Sequence, residues 1–168
     1  MKRILLSSLL ICIAAVSVSA QNKKAERDSL AVVKFNKASA ALESKDFVII
    51  VDYYKTSAGS FENNTDPAVF LSYEKEFMIL QGPVIADNSH TNKLNVDKYE
   101  QSTDKKGNIS SVIQTRGFFI TAKIEILLKK GGNIADVIIT PVKGETKQFS
   151  GELVARSESK YFKRSGEI

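Results

Sequence analysis

Any chemistry on this chain has to come from a short list of side chains. The single histidine, His90, lies in the run Asp87-Asn88-Ser89-His90-Thr91. An acyl-transfer reading would join His90 to Ser89 and Asp87, since a hydroxyl nucleophile needs a base and the base needs an orienting acid. Such side chains normally converge from separate elements, and near neighbours on one loop rarely reach that geometry. A solvated loop histidine is the reading adopted. One histidine also falls short of the three or four nitrogen or sulfur ligands a zinc site uses, so no metal site is expected.

Carboxylates are more plentiful, and that weakens the argument for any pair. With 19 Asp and Glu residues, nothing in the spacing singles out two acids for glycoside chemistry. Asp52 is the one acid to inspect, because it follows an apolar, β-branched run where burial would raise its pKa. The alternative is an acid at a strand end reaching water. Glu62-Asn63-Asn64-Thr65-Asp66 has the oxygen-rich composition of a calcium loop but not its ligand spacing. No Gly-x-Gly-x-x-Gly or Walker pattern occurs, so no nucleotide cofactor is expected. Asn63-Asn64-Thr65 and Asn108-Ile109-Ser110 match the N-glycosylation pattern, which is common by chance. The aromatic residues Tyr53, Tyr54, Phe61, Tyr73, Tyr99, Tyr161 and Phe162 could line a ligand pocket, although core or rim packing is the commoner use.

The elements that would position these residues follow from periodicity. Asp28 or Ser29 can cap a helix in which Leu30, Val33, Phe35, Ala38, Ala41 and Leu42 recur near helical spacing up to Lys45. From Phe47 the pattern changes. Phe47 to Tyr54 is β-branched and aromatic with apolar residues on both faces, as in a strand covered on two sides, and the helix is the evident cover. Lys55 to Pro67 reads as a loop, and Ala68 to Tyr73 and Phe77 to Gln81 as strands around a turn at Glu74-Lys75. A polar stretch from Gly82 to Asn95 precedes a hairpin with arms Val96–Ser102 and Ile109–Gln114.

The C-terminal half is a plainer meander. From Gly117 to Leu128 the alternate residues Phe118, Ile120, Ala122, Ile124, Ile126 and Leu128 are apolar while Thr121, Lys123 and Glu125 are polar, so one face is core and one is wet. Lys129 to Asn133 supplies a turn, Ile134 to Val142 the next strand, and Phe149 and Leu153 share a face with Gly151, where a bend or close backbone approach is expected. Tyr161 and Phe162 are placed over one end of the core. Hairpin-length connections throughout predict an α+β fold: an N-terminal amphipathic helix packed on a curved antiparallel sheet or partial barrel of about seven or eight strands.

Compartment is the most legible property. Lys2 and Arg3 precede an apolar run from Ile4 to Val16, and Val18 and Ala20 offer the small residues signal peptidase requires, which places cleavage between Ala20 and Gln21. The run is about 13 residues where a membrane span needs roughly 20, and Cys12 has Ile11 before it rather than the small residue of a lipoprotein signal. Residues 1–20 are thus read as a signal peptide, 21–27 as a flexible leader and 28–168 as one domain without a transmembrane anchor. The only cysteine, Cys12, leaves with the signal, so disulfides and thiolate chemistry are excluded from the mature protein. Loss of Lys2 and Arg3 lowers the formal net charge of +5 by two, and the remaining lysines are dispersed without the basic, aromatic-lined stripe that nucleic acids need.

With these elements placed, the chain resembles the domain-of-unknown-function family 4251, small exported proteins of Bacteroidota. The resemblance rests on Ala40 to Asp52, Phe77 to Pro83, Arg116 to Ile126, Asn133 to Pro141, Phe149 to Leu153 and Ser157 to Lys163. Relatives often carry a glycine-rich stretch after the Gln-Gly-Pro position, whereas Val84 to Asn95 here has no glycine. The resemblance implies an envelope location and brings no established activity. The sequence therefore favours a non-enzymatic periplasmic binding or interaction module, with an envelope protein or a small apolar ligand as partner. A carboxylate-based, metal-independent hydrolase and a purely structural envelope protein are the alternatives. Two acids converging in a cleft would mark the hydrolase, an apolar cavity of roughly 300–1,000 Å³ the ligand binder, and a solid core with a sticky outer patch the structural protein.

Overall fold

The computed structural model describes residues 26–168. The export segment and the cleavage site at Ala20 and Gln21 lie outside the described residues. Helix α1 covers residues 26–44, so Glu26 and Arg27 are already helical, and Asp28 and Ser29 lie within the helix rather than at its cap. Its expected apolar face is used only in part. Ala38, Ala41 and Leu42 are buried and Phe35 is half-buried, whereas Leu30 and Val33 are exposed. Only the C-terminal half of α1 reaches the core.

Nine strands follow: β1 (Asp46–Lys55), β2 (Phe61–Asn63), β3 (Phe70–Glu74), β4 (Phe77–Gln81), β5 (Thr91–Thr103), β6 (Ile109–Gly117), β7 (Thr121–Leu128), β8 (Ile134–Pro141) and β9 (Lys147–Ala155), with a one-turn helix α2 (Pro83–Ala86) between β4 and β5. Every strand pair is antiparallel, and β9 pairs back onto β1. The sheet is thus a closed barrel of eight strands, in keeping with the predicted α+β arrangement of a helix on a curved antiparallel sheet or partial barrel, and closure removes the open edges that invite aggregation. The ninth strand, β2, lies inside the stretch read as a loop. It pairs with Tyr53 to Lys55 of β1, beyond the part of that edge taken by β3.

Closure depends on two local features. Along the β1–β9 seam Val51 faces Gly151 but Tyr53 faces Ser150, leaving Asp52 as an extra residue in β1. A bulge of this kind bends a strand and tightens its twist, which is how a sheet turns back on itself. Opposite the bulge, a Cβ on residue 151 would lie 1.8 Å from the Ile50 carbonyl oxygen. Only glycine lets the two backbones come that close.

The two faces of β1 are covered by different parts of the chain. Phe47, Ile49 and Val51 point into the barrel and pack with Ala38, Ala41 and Leu42 of α1 and with alternate residues of the meander, such as Ala122, Ile124, Ile126 and Leu128 of β7. Val48 and Ile50 point outward into a second cluster with Phe70, Ile79 and Tyr161. The C-terminal tail, residues 156–168, is that outer cover, and it lies over the sheet rather than over one end of the core. The Tyr161 ring sits 4.7 Å from Phe70. The buried Gln81 side chain donates to the Phe162 carbonyl at 2.7 Å and accepts from the Arg164 N–H at 2.9 Å. The Ile168 N–H donates to the Thr91 carbonyl. Glu74 receives Arg156 at 3.0 Å and Lys163 at 3.3 Å, and Arg156 also meets Asp46 at 2.8 Å. Phe162 itself is 63% exposed.

Candidate functional site

The strand connections divide into two groups, one at each end of the barrel. At the end where α1 enters β1, the turns are Lys75-Glu76, Asp104 to Asn108 and Lys129 to Asn133. All are charged or polar, as exposed turns ordinarily are. At the opposite end lie the polar β1–β2 loop 56–60 and three further connections: α2, the reversal 117–120 between β6 and β7, and the segment 142–146 between β8 and β9. These three gather exposed apolar residues beside polar ones such as Asp87, Lys143 and Glu145.

A cleft of about 480 Å³ opens among these three connections. Its apolar lining comes from Ile85 of α2, Ile120, Ile139, Pro141 and the rim residues Phe119 and Val142. The local sequence explains α2. Pro83 starts the helix with its fixed φ, and Asp87 ends it in a left-handed conformation at φ 56°. Gly82 precedes it at φ 113°, where a Cβ would meet the Val69 methyls at 2.8 Å. The turn is thereby pressed into the barrel, and Ile85 and Ala86 join the core from this end. One wall of the cleft is polar: Lys147 meets Asp87 at 2.7 Å and Glu145 at 3.9 Å.

The alternation from Gly117 to Leu128 predicts Phe118 and Phe119 in a strand, with Phe118 on the core face. They are instead the tip of the β6–β7 reversal, where the Gly117 N–H donates to the Ile120 carbonyl at 2.7 Å. Their exposures are 84% and 64%, and Val142 beside them is 73% exposed. Gly117 was the one local sign of a turn, and the apolar alternation running through it concealed the reversal.

The residues singled out for chemistry do not assemble. Asp87 is engaged by Lys147, the Ser89 carbonyl accepts from Arg164, and His90 is exposed with its backbone N–H donating to Asn88 Oδ1. Asp52, the bulge residue of β1, has its pKa raised, first by withdrawal from water and then by the charge of Glu152. It does not line the cleft, and Glu152 itself is paired with Lys34 of α1. Within 62–66 the oxygens make turns: Asn64 bonds the Val51 and Asp66 carbonyls, and Asp66 accepts from the Ala68 N–H. Among the described residues no group of three or more His, Cys, Asp or Glu side chains could hold a metal ion. Nor does any described helix have the length and apolarity to cross a membrane.

The aromatic residues are mostly packing. Phe47, Tyr73 and Tyr99 stack edge to face at 5.9 and 5.8 Å inside the barrel, while Tyr53 and Phe61 are exposed along the β1–β2 pair. None of the aromatic residues named from the sequence lines the cleft.

No protein-family model and no curated protein matches the sequence. Among solved structures, the chain is similar to a DUF4251 family protein from Bacteroides eggerthii, with 27% sequence identity and a TM-score of 0.66 over 76% of this chain and 91% of that one. In sequence motifs and in fold alike, the chain resembles the domain-of-unknown-function family 4251.

Proposed function

We propose that the protein is an exported, non-enzymatic binding module of the periplasm whose binding surface is the α2 end of the barrel. The observation that carries this reading is the cleft between α2 and the 117–120 and 142–146 connections, with Phe119 and Val142 exposed at its rim. Its volume of about 480 Å³ falls in the range of small-molecule sites, which are typically apolar with a few placed polar groups. The Lys147–Asp87–Glu145 wall supplies such groups. The barrel interior is filled by side chains, so an occupant would sit at the mouth rather than inside. Its partner is either a small apolar ligand or a segment of another envelope protein. The export signal at residues 1–20 supports the location.

Native mass spectrometry on the processed protein, purified gently from its host's envelope, tests this. A reproducible extra mass of a few hundred daltons that disappears on denaturation, and that is lost when the exposed Val142 at the cleft rim is changed to Lys, is the expected result. Bare protein in every preparation would overturn the small-ligand reading.

A further inference from the structure

The geometry points to the α2 end of the barrel as a membrane-docking face, with Phe118, Phe119 and Val142 entering the outer acyl region of a phospholipid bilayer. The inference rests on the reading of this end as the binding surface and names what it binds against. Tips of chain reversals are ordinarily occupied by Gly, Asn, Asp, Ser or Pro. Here two phenylalanines take the tip, and their rings contact each other edge to face at 4.7 Å. The neighbouring connection stands close by, since the Val142 N–H donates to the Thr121 carbonyl at 2.8 Å. Three of the most exposed apolar side chains of the described residues thus project together from one end, and the turns at the other end are charged.

Shape selects a bilayer over a protein. A specific protein interface needs about 800 Å² on each partner and a matching surface. Three protruding side chains offer a smaller footprint, which a fluid apolar phase can surround without complementarity. The charges of the face do not oppose this: Asp87 and Glu145 against Lys143 and Lys147 sum to zero, so the cleft sets no net negative charge against headgroups. An aromatic tip of this kind gives weak, reversible attachment, comparable in character to a single lipid anchor.

The test is flotation of the processed protein with vesicles of phosphatidylcholine and with vesicles containing about a quarter phosphatidylglycerol. The protein is expected to float with both. The F118S/F119S variant should lose about tenfold in partitioning for each phenylalanine, with an unchanged circular dichroism spectrum because both residues are exposed. L30S/V33S, which alters the exposed start of α1, should float as the wild type does. A wild-type protein that floats with neither vesicle, or a double phenylalanine variant that floats equally well, overturns the proposal. So does a protein cross-link from position 119 in the absence of flotation. Flotation without any adduct in native mass spectrometry would sink the soluble-ligand reading and leave membrane docking standing, and an adduct without flotation would do the reverse.

Discussion

Replacing Gly151 by alanine tests the account of barrel closure at a single methyl group. The added Cβ would lie 1.8 Å from the Ile50 carbonyl oxygen and 2.8 Å from the Ile50 carbonyl carbon. Ordinary contact needs about 3.5 Å between such atoms, so one strand would have to move by well over an ångström. Neither is free to move: β9 is bonded to β1 on one side and, through Ala135 opposite Gly151, to β8 on the other. Overpacking a core costs about 1–3 kcal/mol when side chains can yield. Here the obstacle is backbone, and a loss of about 3–5 kcal/mol is expected, in the range reserved for a few severe mechanisms. For a domain of this size that lowers Tm by roughly 10–15 °C. Gly132 is the control. It has no positive φ and nothing within 4 Å of a built Cβ, so Gly132→Ala should leave stability within about 1 kcal/mol of wild type, with any gain coming from a less flexible unfolded chain. Urea titration followed by circular dichroism measures both. A Gly151→Ala protein with the midpoint of the wild type would refute the seam geometry, and a severe loss in Gly132→Ala would show that glycines matter here for some other reason.

Three further outcomes follow from side chains tied to particular partners. Glu74 is nearly buried and receives both Arg156 and Lys163, so Glu74→Ala should cost about 1–3 kcal/mol and release the tail, seen as faster tryptic cleavage at Lys160 and Lys163 with the barrel intact. Unchanged cleavage would mean that Tyr161 and the Gln81 bonds hold the tail unaided. Asp52 has a raised pKa in the folded state, chiefly from loss of water and secondarily from Glu152. The folded protein then keeps its proton where the unfolded chain has lost it, and stability falls as pH climbs from the ordinary carboxylate range to the raised value. Asp52→Asn should flatten that decline in a Tm-versus-pH series, and an unaltered slope would contradict it. Asp104 is the opposite case. Its carboxylate accepts from the Asn108 backbone, the Asn108 side chain and the Lys106 backbone, and its pKa is lowered. Its contribution is present above the ordinary carboxylate pKa and is lost as pH falls through the lowered one. Hydrogen exchange at the Asn108 amide should quicken in Asp104→Ala and, for the wild type, at acid pH after correction for the intrinsic rate.

The two ends of the barrel assign different work to similar turns. At the α1 end, polar connections and the buried half of the helix close the core to water. At the α2 end, Ile85 and Ala86 fill the mouth only in part, and the apolar rim stays uncovered. Exposed apolar side chains are ordinary when scattered. Gathered at the tips of adjacent reversals, they mark a surface that meets something less polar than water.

Much of the architecture was written in local pattern. Alternation marks β7 because Ala122, Ile124, Ile126 and Leu128 face inward at every second residue, and Phe47 to Tyr54 reads as a doubly covered strand because both of its faces are apolar. Gly151 announces a close backbone approach. What covers each face was settled only in three dimensions. The outer face of β1 is covered by a tail about a hundred residues away in sequence, and the start of α1, apolar at helical spacing, stays exposed over a shallow cleft against β9. Closure could not be read either, since it depends on an extra residue at Asp52 lying opposite a missing side chain at Gly151. Phe118 failed for the most instructive reason. Periodicity records which residues are apolar, and whether an apolar residue is buried is decided by whether the chain continues straight or turns back. One hydrogen bond between Gly117 and Ile120 makes that choice, and it turns a residue read as core into the most exposed phenylalanine of the described chain.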